Sequence, residues 1–395
     1  MKLVIDGNSL LNVITTATIY SSSNSDLSRP FYRSLDKWVI KTTSAEYYDS
    51  QLYRYLINVI NSFPGIDGVY FACDSTSWRK IYYKKKLQIF EGRPDYSDIE
   101  LGYKGKRKID TEQKQQTIEL IKYLTSETLL RLSQKIPGFH LISVKGLEGD
   151  DVVYRLADNL KKNNDVVIWS NDSDLHQLLD KNVYIIGSFD PKTNAKRLFR
   201  IEEKEENPTV NERKMTFNFA SGNSGSGMKQ TIDSLVKRGF YSNNYCDPYY
   251  DIMTKILCGD KASDNVPPSF AISHNGKVVN LTKAKYSDKI FEYLKEFGYT
   301  AKTIVDGFRT YEPGLMTKIS EKVCELFKVS YNEYGPKFEE YLKFNIRMIL
   351  LDENMIPTQI LEYLDDVIAY IGSKNETFNS ELFKSFVEPY ILDKK

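Results

Sequence analysis

The chain has 395 residues, 54 Lys and Arg against 53 Asp and Glu, 41% apolar residues and four cysteines. At roughly 100 to 200 residues per domain this allows two or three domains, and a composition 27% charged and 13% aromatic excludes wholesale disorder. No apolar run reaches the roughly 20 residues that span a bilayer, and Cys73, Cys246, Cys258 and Cys324 are too scattered for a thiolate zinc site or a disulfide framework.

Short apolar strands are predicted at Val4-Ile5-Asp6, Val69 to Asp74, Phe139 to Val144 and Val166 to Trp169. Leu3-Val4-Ile5 is cut by Asp6 too early for a signal-peptide core. Helical spacing of apolar residues lies between these strands at Gln51 to Phe63, Thr117 to Ile136 and Asp150 to Lys161. The alternation predicts an α/β fold with a mostly parallel central sheet and helices on both faces. Val183 to Ile186 adds a further strand, so that residues 1–205 read as one α/β domain. Residues 206–246, with the Ala220 to Gly227 Gly/Ser tract, read as a flexible insertion or linker. Residues 247–395 read as a helical domain, with helices at Tyr249 to Leu257, Ala284 to Phe297, Leu315 to Phe327, Phe338 to Leu350, Ile356 to Tyr370 and Glu381 to Val387. A monomer in the cytoplasm is expected.

Acids stand where the strands end. Asp6 closes the first and Asp74 the second; Glu148, Asp150 and Asp151 follow the third, and Asp172 and Asp174 the fourth. The carboxyl ends of parallel strands share one rim, where such folds bind ligands, so the acids are expected to converge. A carboxylate cluster with no Lys or Arg in its motifs needs a cation to stay ionised. Oxygen donors without His or Cys select Mg²⁺, with Mn²⁺ as a substitute. Two ions about 4 Å apart would activate water for in-line displacement at phosphorus. Singly, Asp6-Gly7-Asn8 reads as a turn, Asp74-Ser75 as a cap and Glu148-Gly149-Asp150-Asp151 as a helix start; four strand ends all carrying acid point to chemistry. Asp151 is the weakest member, since neighbours on a helix point about 100° apart, and it reads equally as a cap or a support. Asp260 and Asp264, in Gly259-Asp260-Lys261-Ala262-Ser263-Asp264-Asn265, flank a turn that reaches the same cluster or simply stops a helix. His140, His176 and His274 show no partner, so a histidine base is not expected.

Between Trp78 and Lys108 the basic residues Arg79, Lys80, Lys84, Lys85, Lys86, Arg93, Lys104, Lys106, Arg107 and Lys108 outnumber Glu91, Asp95, Asp98 and Glu100. Aromatic and basic residues interleave, and Trp78, Tyr82 or Tyr83 would stack on bases while the cations neutralise phosphates. Trp78, Arg79, Lys80, Lys84, Lys85, Lys86, Tyr103, Lys104, Lys106 and Arg107 are the candidate nucleic-acid contacts. A solvated helix face is the bland alternative; its place directly after Asp74 favours strand binding.

In this order, Val4-Ile5-Asp6-Gly7-Asn8, Cys73-Asp74, Tyr103-Lys104-Gly105-Lys106-Arg107, Glu148 to Asp151, Ser170-Asn171-Asp172-Ser173-Asp174 and Gly259 to Asn265 resemble the flap endonuclease or 5′-nuclease superfamily. Asp251 to Asp260 and Asn345 to Pro357 are similar to its T-even bacteriophage ribonuclease H (5′ to 3′ exonuclease) branch. The resemblance implies a PIN-like nuclease domain, a basic arch at about residues 75–115 and a helical duplex-binding domain. It implies removal of RNA primers and 5′ flaps in phage lagging-strand replication, in the host cytoplasm, on DNA and RNA/DNA hybrid, with a viral single-stranded DNA-binding protein as partner. Asp6, Asp74, Glu148 and Asp150 would hold one Mg²⁺ and Asp172, Asp174, Asp260 and Asp264 the second, while Arg79, Lys104 and Arg107 steer the scissile phosphate. Three departures stand out. Relatives place the last two acids three apart rather than four, which leaves open whether both Asp260 and Asp264 reach the ion. The segment from Arg79 to Tyr103 is longer than usual, and Val266 to Gly276 replaces the Gly-x-Gly hairpin that grips duplex. The competing readings are a non-catalytic nucleic-acid-binding protein of the same fold, and a glycosyltransferase using Asp172-Ser173-Asp174.

Overall fold

The computed structural model describes residues 1–20, 31–34, 37–40, 45–63, 65–106, 111–189, 196–201, 241–245, 247–261, 263–274, 277–282 and 284–391. In chain order come β1 (Lys2–Asp6), α1 (Gly7–Tyr20), a hairpin of β2 (Phe31–Ser34) and β3 (Lys37–Ile40), α2 (Ala45–Ser62) and β4 (Gly68–Ala72). Then follow α3 (Trp78–Lys86), α4 (Tyr96–Glu100) and α5 (Thr111–Tyr123), which runs through a widened turn at Leu124–Leu129 into α6 (Leu130–Lys135). β5 (Phe139–Ile142), α7 (Gly149–Leu160), β6 (Val166–Trp169), β7 (Val183–Phe189), β8 (Lys196–Arg200) and β9 (Tyr241–Tyr245) complete the sheet elements. The expected flexible stretch 206–246 lies outside the described residues except for β9.

The sheet runs β5-β4-β1-β6-β7-β8-β9. β5, β4, β1, β6 and β7 are parallel, β8 is antiparallel to β7, and β9 is parallel to β8. The α/β fold with a mostly parallel sheet is therefore the one expected. Side chains alternate across each strand: Leu3, Ile5, Val69, Phe71, Val167 and Trp169 face one core, while Val4, Tyr70, Ala72, Val166 and Ile168 face the other. The first core is covered by α1, α2 and α6; the second by α7 and by the later helices, including Pro248–Cys258 and Tyr331–Ile349.

Further helices span Ala284–Lys295, Ala301–Arg309, Pro313–Phe327, Thr358–Ser373 and Ser380–Val387, with a hairpin of β10 (Ala271–His274) and β11 (Lys277–Asn280) before them. The hairpin occupies the place of the missing Gly-x-Gly motif. The last helix crosses back: Phe378, Phe383 and Val387 enter the core of Leu3 and Ile5, and the Phe378 N–H donates to the Asp67 carbonyl at 3.0 Å. None of the described helices is long and apolar enough to cross a membrane.

Glycine is required where α1 leaves β1. A Cβ on Gly7 would lie 2.4 Å from the Ala72 carbonyl oxygen of β4, a backbone atom that cannot step aside. Only the bare backbone lets β1 and β4 end side by side with their acids on one rim.

Candidate active site

Asp6 ends β1, and its carboxylate accepts hydrogen bonds from the Ser170 hydroxyl at 2.6 Å and the Ser9 N–H at 3.1 Å. Burial raises its pKa to about 6 against the pull of these bonds, with Asp172 and Asp74 adding repulsion. Asp74, two residues past β4, accepts the Gly149 N–H at 2.6 Å; desolvation among its neighbours, then the Glu148 charge, raises its carboxyl too. Glu148 caps α7, receiving the Tyr103 hydroxyl at 3.0 Å and the Lys104 ammonium at 2.9 Å. Burial pushes this carboxyl up, but the charges of Arg79 and Lys104 outweigh it and hold it below the ordinary value. Asp150 receives no hydrogen bond among the described residues. Burial and the charges of Asp6, Asp172, Asp74 and Glu148 drive its carboxyl well above the usual range.

A second group sits beside the first. Asp172 is exposed and caps a short turn by accepting the Asp174 N–H at 2.9 Å. Asp174, Asp260 and Asp264 each offer a carboxylate oxygen, all within 4.8 Å of one another. The helix Pro248–Cys258 stops at Gly259, whose φ of 74° and crowded Cβ position, 2.4 Å from Pro267, admit no side chain. Paired 2.9 Å backbone bonds between Asp260 and Val266 then close a loop. That loop brings both Asp260 and Asp264 to the cluster despite their four-residue spacing. Tyr103 links the two groups, its hydroxyl lying 3.0 Å from Glu148 and 3.5 Å from Asp264.

Sequence reading missed Lys255. Its ammonium donates to Asp174 Oδ1 and, at 2.8 Å, to Asp260 Oδ2. Burial alone would lower its pKa, yet the two carboxylates raise it above the ordinary lysine value. The available signal was a lone cation in the apolar run Ile252 to Cys258, five residues before Asp260.

The basic segment requires correction at three residues. Trp78 is 3% exposed and Arg79 2% exposed; the indole N–H donates to Asp151 at 3.1 Å and the guanidinium grips Asp151 through two bonds of 2.8 Å. Neither can stack on a base or meet a phosphate, because both were spent on the core. Tyr103 is likewise buried. Lys104 is bound to Glu148 and Lys106 to Asp98 at 2.8 Å. Lys80, Lys84 and Lys85 are exposed on α3 and Lys86 half-buried, so the outward cations of the segment lie on this helix. Tyr83 on its inner face, and Phe90 in the turn that follows, pack on Phe344 of Tyr331–Ile349. Arg107 lies outside the described residues.

The donor set fits hard divalent cations: it is built of carboxylate oxygens, and burial first, then mutual repulsion, raises the carboxyls of Asp6, Asp74, Asp150 and Asp174 above their ordinary values, a cost that entering positive charge relieves. His176 lies against Phe199, ring centroids 4.2 Å apart and planes tilted by 39°, and burial lowers its pKa to about 4; it is neutral at pH 7 and receives no catalytic role.

Residues 95–209 match the family model for the 5′-3′ exonuclease, N-terminal resolvase-like domain. A curated 5′-3′ exonuclease of Mycoplasmopsis pulmonis is 27% identical over 216 residues, covering 52% of this chain; the chain spans 59% of that relative's length. Among solved structures, T5 5′-exonuclease with zinc bound is similar at a TM-score of 0.45 and 14% identity, over 99% of this chain and 98% of the other. A bacteriophage T5 flap endonuclease in a pseudo-enzyme-product complex with DNA and metal ions gives 0.44 and 16% over 98% of each chain.

Proposed function

We propose that the chain is a 5′-nuclease of the superfamily that the match over residues 95–209 and the curated 5′-3′ exonuclease support, and that it acts as a divalent-metal-dependent 5′ to 3′ exonuclease and flap endonuclease. In this reading the ions are two Mg²⁺, and the substrates are RNA/DNA hybrid and duplex or flap DNA with 5′ ends. The role is removal of RNA primers in phage lagging-strand replication, beside a viral single-stranded DNA-binding protein. Residues 1–205 carry most of the chemistry, while residues 247–395 hold the duplex and contribute Asp260 and Asp264 to the second ion.

The carrying observation is the electrostatic continuity of the acids. Asp150 feels Asp6, Asp74, Glu148 and Asp172, and Asp174 feels Asp172 and Asp260. Asp6, Asp74, Glu148 and Asp150 would hold one ion and Asp172, Asp174, Asp260 and Asp264 the other; when bound, such ions activate water and stabilise charge on the phosphate. The chain's own groups do the positioning. Ser170 orients Asp6, the Gly149 N–H orients Asp74, and Tyr103 with Lys104 fixes both oxygens of Glu148. Lys80, Lys84 and Lys85 draw in the strand.

Incubation with Mg²⁺ and 5′-labelled flap, nicked and hybrid substrates, followed by product sizing, tests the reading. Cleavage from the 5′ side should need the ion, and Asp172→Asn should abolish it while DNA binding persists. Wild-type cutting by Asp172→Asn would overturn the mechanism.

A further inference from the structure

Lys255 stands among carboxylates that the nuclease reading gives to an ion. We propose that Lys255 is a tethered cation that occupies the second ion position of the metal-free protein and must leave it for a divalent ion to bind. The inference rests on the nuclease reading but concerns a residue which that reading leaves without a role.

Three observations lead to it. Asp174, Asp260 and Asp264 bring oxygens within 4.8 Å of one another, and the Lys255 ammonium already bridges two of the three. A dication drawn to those oxygens would meet an ammonium hydrogen-bonded to the same atoms, and like charges at such range repel strongly. The lysine also has somewhere to go. A cavity of about 170 Å³ opens beside the cluster, lined by Asp174, Lys255, Ser173, Gln177 and Asp251. Asp251 lies one turn before Lys255 on the same helix, the orientation in which an acid and a following lysine attract. The ammonium can therefore rotate from Asp174 and Asp260 toward Asp251 without leaving the protein's negative surface.

Exchange between lysine and ion makes the second site intrinsically weaker than the first, where Lys104 is bonded to Glu148 but Asp6 and Asp150 have no lysine bonded to them among the described residues. Arrival of the second ion would then coincide with release of a positive charge beside the scissile phosphate.

The test is Mn²⁺ binding without DNA, followed by calorimetry and by the paramagnetic resonance of free Mn²⁺, for wild type, Lys255→Met and Lys255→Arg. Lys255→Met should tighten the weaker of two sites by about tenfold or more, and Lys255→Arg, which keeps the charge, should not. Lys255→Gln takes the place of Lys255→Met if thermal melting shows the latter unfolded. An unchanged weaker site in the neutral variant, or equal tightening in the arginine variant, overturns the proposal. Wild-type cleavage measured in parallel separates the two levels: cutting with unchanged affinities sinks only the lysine's role, whereas no ion binding and no cutting in wild type sinks the nuclease reading with it.

Discussion

The guanidinium of Arg79 and the carboxylate of Asp151 face each other through two hydrogen bonds of 2.8 Å, both groups shut away from water. Asp151 also receives the Trp78 indole and the Glu148 N–H, while Arg79 Nε donates to the Met348 carbonyl at 3.0 Å. One ion pair thus fastens α3, the start of α7 and the end of Tyr331–Ile349 around the acid that caps α7.

Removing one partner leaves the other charged and buried. Arg79→Met should destabilise the protein by about 3–5 kcal/mol in urea denaturation, and the double change Arg79→Met with Asp151→Leu should recover part of the loss. Unaltered stability in the single variant would mean that the pair does not hold this junction.

Asp150 is crowded by four like charges and receives no hydrogen bond among the described residues. Asp150→Asn should raise the melting temperature of the metal-free protein by a few degrees and lower the Mg²⁺-dependent cleavage rate by about a hundredfold or more. A variant both less stable and fully active would contradict the assignment.

The acids also set a pH dependence. Asp6 titrates at about 6 in the fold against 3.8 ordinarily, and Asp150 is raised well above the same value. Between those values the folded protein binds protons that the unfolded chain has released, so metal-free stability grows as pH falls through this window and is lost as it rises. Divalent ions relieve the repulsion, so saturating Mg²⁺ should raise the melting temperature more at pH 8 than at pH 5. Equal gains at both would refute this.

Exposed cations on α3 should govern affinity for the strand. Lys84→Glu with Lys85→Glu should weaken DNA binding and flatten its salt dependence by a slope of about 2 or more, with stability changed by about 0.5 kcal/mol or less. Fluorescence anisotropy across salt concentrations reads the first, and melting the second.

The first four parallel strands and their acidic rim were legible because each is an apolar run followed by an acid, a pattern that survives without knowledge of its neighbours, whereas β8 and β9 are polar and were not read. Asp151 was rightly set apart as a cap or support, since its helix position turns it from Asp150. Trp78 and Arg79 were misread because a charge run was counted rather than projected. On a helix Trp78, Arg79 and Tyr83 fall inside while Lys80, Lys84 and Lys85 fall outside, but the burial of Arg79 depends on Asp151, 72 residues away. Lys255 was invisible for the same reason, since Asp174 lies 81 positions earlier. The helix Ala301–Arg309 was missed although Thr300 caps it and Ile304, Val305 and Phe308 form its inner face.

Phe378, Phe383 and Val387 share a core with Leu3 and Ile5, and this orders events during synthesis. The first strand emerges from the ribosome early but keeps an unsealed flank until residues near 387 have been translated. Its acidic terminus, anchored by that strand, therefore gains firm footing only once the helix Ser380–Val387 has docked.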